Sequence, residues 1–327
     1  MKIDKLDLGP FPLLLAPMED ITDSSFRQIC REFGADLVYT EFVSSEALIR
    51  DAWKSQDKLR FEASERPIGI QIFGNEIASM EKAAQLAAES NPEIIDINFG
   101  CPVKKVAGKG AGAGLMNDVP KMVRMTDAIV RCTDLPVTVK TRLGWDDKQK
   151  NIVDIAERLQ DVGIKALTIH GRTRGQMYSG KADWTLIGEV KNNPRMHIPI
   201  IGNGDIDSPQ KAVEFLDRYG VDALMIGRAA VGNPWIFSDI RTFYESGQVP
   251  FPPSVTARIA ICRKHLRKAV EVKGEIKGIL EMRRHYASYF RSLPNFKKYR
   301  LQLLTMRSLE DIENFLLELE EFQSLTI

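Results

Sequence analysis

Cys101 stands between Gly100 and Pro102, directly after the apolar run Ile94–Asn98. Glycine on one side and proline on the other describe a tight turn that lifts a thiol off the end of a strand. With an ordinary pKa of about 8.5 such a thiol keeps its proton at neutral pH and can act as a general acid. The same exposure would suit a thiolate nucleophile. Cys30, Cys132 and Cys262 fall on helix-patterned faces and read as small buried hydrophobes. Polar or special residues recur just past other short apolar runs: Pro17 with Met18, Glu41, Gln71, Asn98, Lys140 with Arg142, His170 with Arg172, Asn203 with Asp205, and Gly227 with Arg228. Each alone is an ordinary cap or turn, but together they define a site on one rim. Lys140 could face an anionic ligand or pair with a carboxylate such as Glu41, and His170 can donate to a ring carbonyl. Lys140, Arg142, His170 and Arg172 together favour an anion. Gly202-Asn203-Gly204-Asp205 and Gly227-Arg228 offer close backbone approach, free N–H groups and a cation, as a phosphate requires. His197, His265 and His285 lack such company and read as structural.

These residues need a scaffold that brings many strand ends together. The runs are Leu13–Ala16, Ala35–Thr40, Ile68–Ile72, Ile94–Asn98, Pro136–Lys140, Ala166–His170, Ile198–Ile201 and Ala223–Ile226, with helix-patterned stretches between them. Asp23-Ser24-Ser25 caps Phe26–Phe33, Glu76 opens a helix through Ala88, and Asn117-Asp118-Val119-Pro120 caps one ending near Cys132. Asn151–Val162 stops at Gly163, and a helix from Ser208-Pro209 stops at Gly220. Nearly continuous apolar strands suit a parallel sheet covered on both faces. Eight βα units in the first 245 residues predict a (β/α)8 TIM barrel, whose reacting groups sit at the C-terminal strand ends. An open doubly wound sheet would use fewer strands. After Trp235–Tyr244, residues 246–253 are rich in Gly and Pro and predict a linker. Ser254–Val272, Glu275–Ser292, Phe296–Thr305 and Ser308–Phe322 then predict a C-terminal all-α bundle over 254–327.

Hydrophobic content of 44% and charged content of 27% are those of an ordinary globular chain, and no apolar run is long enough to span a bilayer. Four scattered cysteines form neither a metal pattern nor a disulfide framework, so a reducing, cytoplasmic setting without metal is expected. A monomer is the expected assembly. Net charge is only +1, but Arg258 to Arg300 holds 13 Lys/Arg against 3 Asp/Glu, a local excess of +10. Such a segment reads either as a solvated face or as a grip for a polyanion. Two glycine-rich stretches are not nucleotide fingerprints. Gly108–Gly114 begins about ten residues after its strand, which breaks the dinucleotide register, and reads as a mobile loop beside the site. Gly175–Lys181 has Walker-like spacing, but Ala182 stands where a Mg²⁺-binding hydroxyl is required.

Ala16-Pro17-Met18 leading to Ile21-Thr22-Asp23, and Asp96-Ile97-Asn98-Phe99-Gly100-Cys101-Pro102-Val103-Lys104-Lys105, resemble the tRNA dihydrouridine synthases. So do Val139-Lys140-Thr141-Arg142, His170-Gly171-Arg172-Thr173-Arg174, Asn203-Gly204-Asp205 and Met225-Ile226-Gly227-Arg228. The matches run in order over residues 16 to 237 and most resemble the bacterial B-type branch. The resemblance implies a flavin mononucleotide (FMN) barrel with a helical C-terminal domain that binds tRNA and reduces its uridines at the expense of NADPH. By that resemblance Pro17, Met18, Gln71, Lys140, His170, Asn203, Gly204, Asp205, Gly227 and Arg228 hold FMN. Cys101 gives a proton to uracil C5 opposite the hydride delivered to C6, and Asn98 positions the base. Arg142, Arg172, Arg283 and Arg284 are expected on the RNA. Phe99 stands where many relatives carry Met, and Ala113-Gly114-Leu115 where Ser-Ala-Leu is commoner. An acidic barrel would leave the +10 segment as the grip on phosphates, with Tyr286, Tyr289, Phe290 and Tyr299 read as core. The alternatives are a flavin enzyme acting on a free pyrimidine base, and an RNA-binding barrel without chemistry.

Overall fold

Ile94–Asn98 and Val137–Arg142 are built from isoleucine and valine, whose branched β-carbons favour extended backbone. Six further segments behave alike in the computed structural model, which describes residues 1–324 apart from Asp51, Ser292, Pro294 and Asn295. The strands are β1 (Leu13–Leu15), β2 (Val38–Tyr39), β3 (Ile68–Phe73), β4 (Ile94–Asn98), β5 (Val137–Arg142), β6 (Ala166–His170), β7 (Ile200–Asn203) and β8 (Ala223–Ile226). Parallel pairing runs in that order from β2 to β8 and on to β1. The ring closes where Leu14 bridges Leu37 and the Leu15 N–H donates to the Leu37 carbonyl at 2.9 Å. The chain is a (β/α)8 barrel. A hairpin of Lys2–Ile3 and Leu6–Asp7 precedes it, and its Ile3 packs with Leu14, Leu37, Tyr39, Ile94 and Met225.

Alternation along the strands sorts the side chains. Ile95, Ile97, Val137, Val139, Leu167 and Ile169 join the core shared with the helices. Between them Gln71, Asp96, Asn98, Thr138, Thr168, His170 and Asn203 are buried polar residues on the alternate face. The barrel is thus apolar at its floor and polar toward its mouth.

Helix ends follow the sequence signals. Asp23 caps α1 (Ser24–Glu32) by accepting from the Phe26 N–H at 2.9 Å, and Asp118 caps the helix Val119–Arg131 through the Lys121 N–H at 3.0 Å. Gly220 and Gly247 close their helices in the left-handed region. Among the described residues no helix is long and apolar enough to cross a membrane.

Several boundaries differ from expectation. The fifth strand runs on to Arg142, because Thr141 continues the β-branched pattern, so Lys140 lies inside the strand. The seventh covers Ile200–Asn203, and Pro199, which has no N–H to give a ladder, is left outside it. Between β2 and β3 lie a two-residue strand, Val43–Ser44, and two short helices, Ser45–Leu48 and Trp53–Asp57, without periodic signals in the sequence. Gly112–Asn117 is a 3₁₀ helix with Gly112 to Met116 buried, so this part of the expected loop is a packed turn. The last barrel helix ends at Ser246, and the second tail helix ends at Tyr289; Ser292, its expected last residue, lies outside the described residues.

The C-terminal helices Val255–Lys273, Glu275–Tyr289, Phe296–Thr305 and Leu309–Ser324 enclose their own core of Ile259, Cys262, Leu266, Met282, Tyr286, Tyr289 and Leu316. Their basic residues are largely paired. Lys264 donates to Glu32 at 2.5 Å, Lys268 to Gln28 at 2.8 Å, Lys273 bridges Asp23 and Glu281, and Arg263 and Arg267 meet Glu313. His265 and His285 pack with Phe26 of α1. The helical segment is fastened along α1 by contacts that use much of its positive charge.

Candidate active site

Asn98 is the last residue of β4, and its Oδ1 accepts the N–H groups of Gly100 at 2.9 Å and Cys101 at 2.8 Å. This side-chain cap holds the chain in the turn that presents Cys101. From behind, the Cys101 carbonyl accepts the Ala113 N–H at 3.1 Å. Gly112, at φ +53°, sits so near that a Cβ there would lie 3.1 Å from the Cys101 Cβ. The thiol is 7% exposed. Burial pushes its pKa up, against the opposing pull of the Val103 N–H, Arg142 and Lys140. Cys101 therefore carries its proton at neutral pH.

A second group of side chains follows round the mouth on β5, β6 and β7, beginning at Lys140, the register partner of Asn98. Lys140 Nζ donates to Asn203 Oδ1 at 3.2 Å, and Asn203 Nδ2 donates to the Met225 carbonyl at 2.7 Å. Burial first, then Arg142, brings Lys140 down to about 8, which leaves it mostly cationic at neutral pH. Glu41, the alternative partner, instead accepts from the Asp20 N–H and lies 3.8 Å from Lys58. Burial, with Lys140 and three arginines nearby, holds His170 well below its ordinary pKa, so the ring is neutral. At Gly204, φ is +123° and a Cβ would meet His170 Cδ2 at 2.9 Å, so only glycine fits beside the imidazole. Gly227 packs over Ala16 and the Met18 sulfur, where a Cβ would still find 3.5 Å of room. Pro17 and Met18 are half-buried on the same side, and the Met18 N–H donates to Thr22 Oγ1 at 2.8 Å.

The arginines divide by environment. Arg142 is 3% exposed, with Nε donating to the Gly100 carbonyl and Nη1 to those of Thr173 and Met177. Arg172 is 2% exposed; Nε donates to the Ser179 carbonyl at 3.2 Å, and Nη2 to the Gly180 carbonyl at 2.6 Å and to Asp205 Oδ2 at 2.7 Å. Neither guanidinium is open to an RNA phosphate; both pin the rim segment 173–180. Partial burial opposes it, but the Ala182 N–H and Arg172 hold the Asp205 carboxyl below its usual range. Arg228 is exposed, touches Asp205 Oδ1 at 3.3 Å and lies over the Tyr178 ring at 5.1 Å. Arg283 and Arg284 stand away from this cluster, on the second tail helix. Arg283 donates to the Met306 carbonyl, and Arg284 reaches the carbonyl and carboxylate of Asp20 on the rim. Glu19, Asp20 and Glu41 gather nearby, paired with Lys58 and Arg284.

Two residues at the site escaped the sequence reading. Asp96 is buried in β4, accepting from Gln71 and Thr138, and burial pushes it up to about 6. A lone carboxylate inside an isoleucine run was its signal. Tyr178 lies beneath Arg142 and Arg228, and nothing in its local pattern marked it.

The geometry is thus a protonated thiol beside a cationic, hydrogen-bonding wall at a barrel mouth. Residues 14–325 match the family model described as Dihydrouridine synthase (Dus). The chain belongs to the dihydrouridine synthase family. It is 40% identical over 300 residues to tRNA-dihydrouridine synthase B of Pseudomonas aeruginosa, covering 90% of each chain. It is 42% identical over 288 residues to the protein of that name from Shewanella oneidensis, covering 87% of this chain and 89% of that one. Among solved structures, morphinone reductase aligns over 75% of this chain and 89% of its own, with a TM-score of 0.50 at 14% identity. A 2-naphthoyl-CoA reductase aligns over 71% and 50%, with a TM-score of 0.56 at 10% identity. At such identities these two speak for the barrel alone. As a dihydrouridine synthase the chain is an oxidoreductase, which removes the reading as an RNA-binding barrel without chemistry and that as a free-base enzyme.

Proposed function

We propose that this dihydrouridine synthase reduces the C5–C6 bond of uridines in tRNA, with FMN as its resident cofactor and NADPH as electron source, as a B-type enzyme of the bacterial cytoplasm. The observation that carries the reading is Cys101, a proton-bearing thiol held by Asn98 at the barrel mouth, with Lys140, His170 and Asn203 on the next three strands of the ring. The residues present fit FMN. Gly204 admits backbone where any side chain would strike His170, and the Gly204 and Asp205 N–H groups donate to no group among the described residues. Gly204, Asp205, Gly227 and Arg228 would cradle the phosphate. Pro17, Met18, Gln71, Lys140, His170 and Asn203 would hold the ring.

When bound, the reduced flavin supplies a hydride for C6 of the uracil ring. Cys101 gives its proton to C5 from the opposite face, and the thiolate left behind is stabilised by Arg142 and Lys140. Asn98 fixes the turn and orients the base, which must leave its stack to enter. Arg142 and Arg172 act by holding the rim segments around it. Because so many tail cations are ion-paired, the phosphate grip falls to Arg291, Lys297, Lys298 and Arg300, which form no ion pair among the described residues, and to Lys104, Lys105 and Lys109 beyond Cys101.

The purified protein is expected to show flavin absorbance, and Lys140→Met to lose most of it; a protein that stays colourless after incubation with FMN contradicts the reading. Lys297→Glu with Lys298→Glu is expected to weaken tRNA binding at least about tenfold and to reduce the salt slope by about two, with flavin content unchanged. An unaltered affinity and salt slope would remove this helix from the RNA interface.

A further inference from the structure

Strand register places Gln71 beside Asp96 and Asp96 beside Thr138, all facing the barrel interior. Gln71, Asp96, Asn98 and Thr138 are each at most 6% exposed. Four kinds of bond connect them without a gap. The Gly100 and Cys101 N–H groups donate to Asn98 Oδ1, Asn98 Nδ2 donates to Gln71 Oε1 at 2.8 Å, Gln71 Nε2 donates to Asp96 Oδ2 at 2.6 Å, and Thr138 Oγ1 donates to Asp96 Oδ1 at 2.5 Å. The polarity of the whole chain is set at its two ends. A backbone N–H can only donate, so Asn98 must turn its oxygen toward the Cys101 turn and its nitrogen toward Gln71. Gln71 must then turn its own nitrogen away, and the group that receives it must accept. The ionised Asp96 carboxylate only accepts, so unlike a hydroxyl or an amide it offers no hydrogen that could reverse this direction.

We propose that Asp96 is a positioning residue: it fixes the amide polarity of Gln71 and Asn98 and through them holds the turn that aims the Cys101 thiol. It touches neither Cys101 nor the mouth, and acts three hydrogen bonds away. The purpose of the relay rests on the reading of Cys101 as proton donor, but its existence does not. Its test therefore reads melting and thiol reactivity, and either reading can fail while the other stands.

The test is a double-mutant cycle that reverses the chain. In Asn98→Asp the new carboxylate still accepts both N–H groups but has no hydrogen for Gln71 Oε1. Gln71 must turn over to donate, which points its oxygen at the oxygen of Asp96. Adding Asp96→Asn gives that oxygen an Nδ2 donor, while Oδ1 continues to accept from Thr138, so every bond is remade with Gln71 inverted and the total charge restored. Asn98→Asp alone is expected to lower Tm by several degrees and to change the alkylation rate of Cys101, read by peptide mass against Cys132 in the same protein, by about tenfold. In the double variant most of the lost Tm should return, with the Cys101 rate within about threefold of wild type. Additive losses, or a Cys101 rate unmoved in all three variants, would overturn the relay. If Asn98→Asp alone does not fold, a cooperatively melting double variant supports it, and a double variant that also fails overturns it.

Discussion

Cys101→Ala is expected to lower dihydrouridine formation about 10²- to 10⁴-fold, the usual worth of a positioned general acid, while flavin absorbance stays at the wild-type level. The separation follows from the geometry. Cys101 is held on the β4 turn by Asn98 and backed by Ala113, whereas Lys140, His170, Asn203 and Gly204 line the separate wall formed by β5 to β7. Deleting one sulfur removes the proton for C5 and leaves that wall intact. Cys101→Ser should rescue little, because a hydroxyl keeps the shape and hydrogen bonding but is a far weaker acid. Mass spectrometry of the product and a spectrum of the same preparation check both halves. Turnover within threefold of wild type would take Cys101 out of the proton transfer.

Arg172→Met is expected to be the most destabilising single change at the rim. It would leave the Ser179 and Gly180 carbonyls without their donor and the Asp205 carboxylate without its closest cation. Breaking a buried pair by removing one partner costs about 3–5 kcal/mol, and the partial exposure of Asp205 puts this case toward the lower end. The pH dependence has a definite sign. A carboxylate whose folded pKa lies below its unfolded value contributes stability above the unfolded pKa and loses it as pH falls through the folded one. Asp205 is such a group. The gap in Tm between wild type and variant should therefore be full above about pH 4 and shrink as the pH falls further. Melting curves across the acid range check this, and a gap that widens on acidification would contradict it.

The eight strands were legible because each lies in a short apolar run that gives way to polar residues, glycine or proline. Helix starts were legible because Asp23, Asp118, Ser208 and Ser254 cap the helices they precede. What stayed hidden depends on partners far away in the chain. Arg142 and Arg172 look from the sequence like cations waiting for an anion; only the fold reveals that carbonyls of residues 173 to 180 and 100 already meet them. The +10 segment likewise looks like an open grip until Glu32, Asp23, Asp57 and Asp20 of the barrel part arrive beside it. Asp96 was masked by the isoleucines that alternate with it, although that alternation is itself the mark of a barrel interior. Residues 112–114 were misjudged because glycine signals permission, not motion: here it allows close packing behind Cys101.

The central claim is most directly tested by incubating an unmodified tRNA transcript with the purified protein, FMN and NADPH, then digesting the RNA and measuring each uridine by mass. The account predicts a gain of two hydrogens at one or more uridines, dependent on NADPH and lost in Cys101→Ala. A flavin-loaded protein that oxidises NADPH yet leaves every uridine of that tRNA unchanged would contradict it.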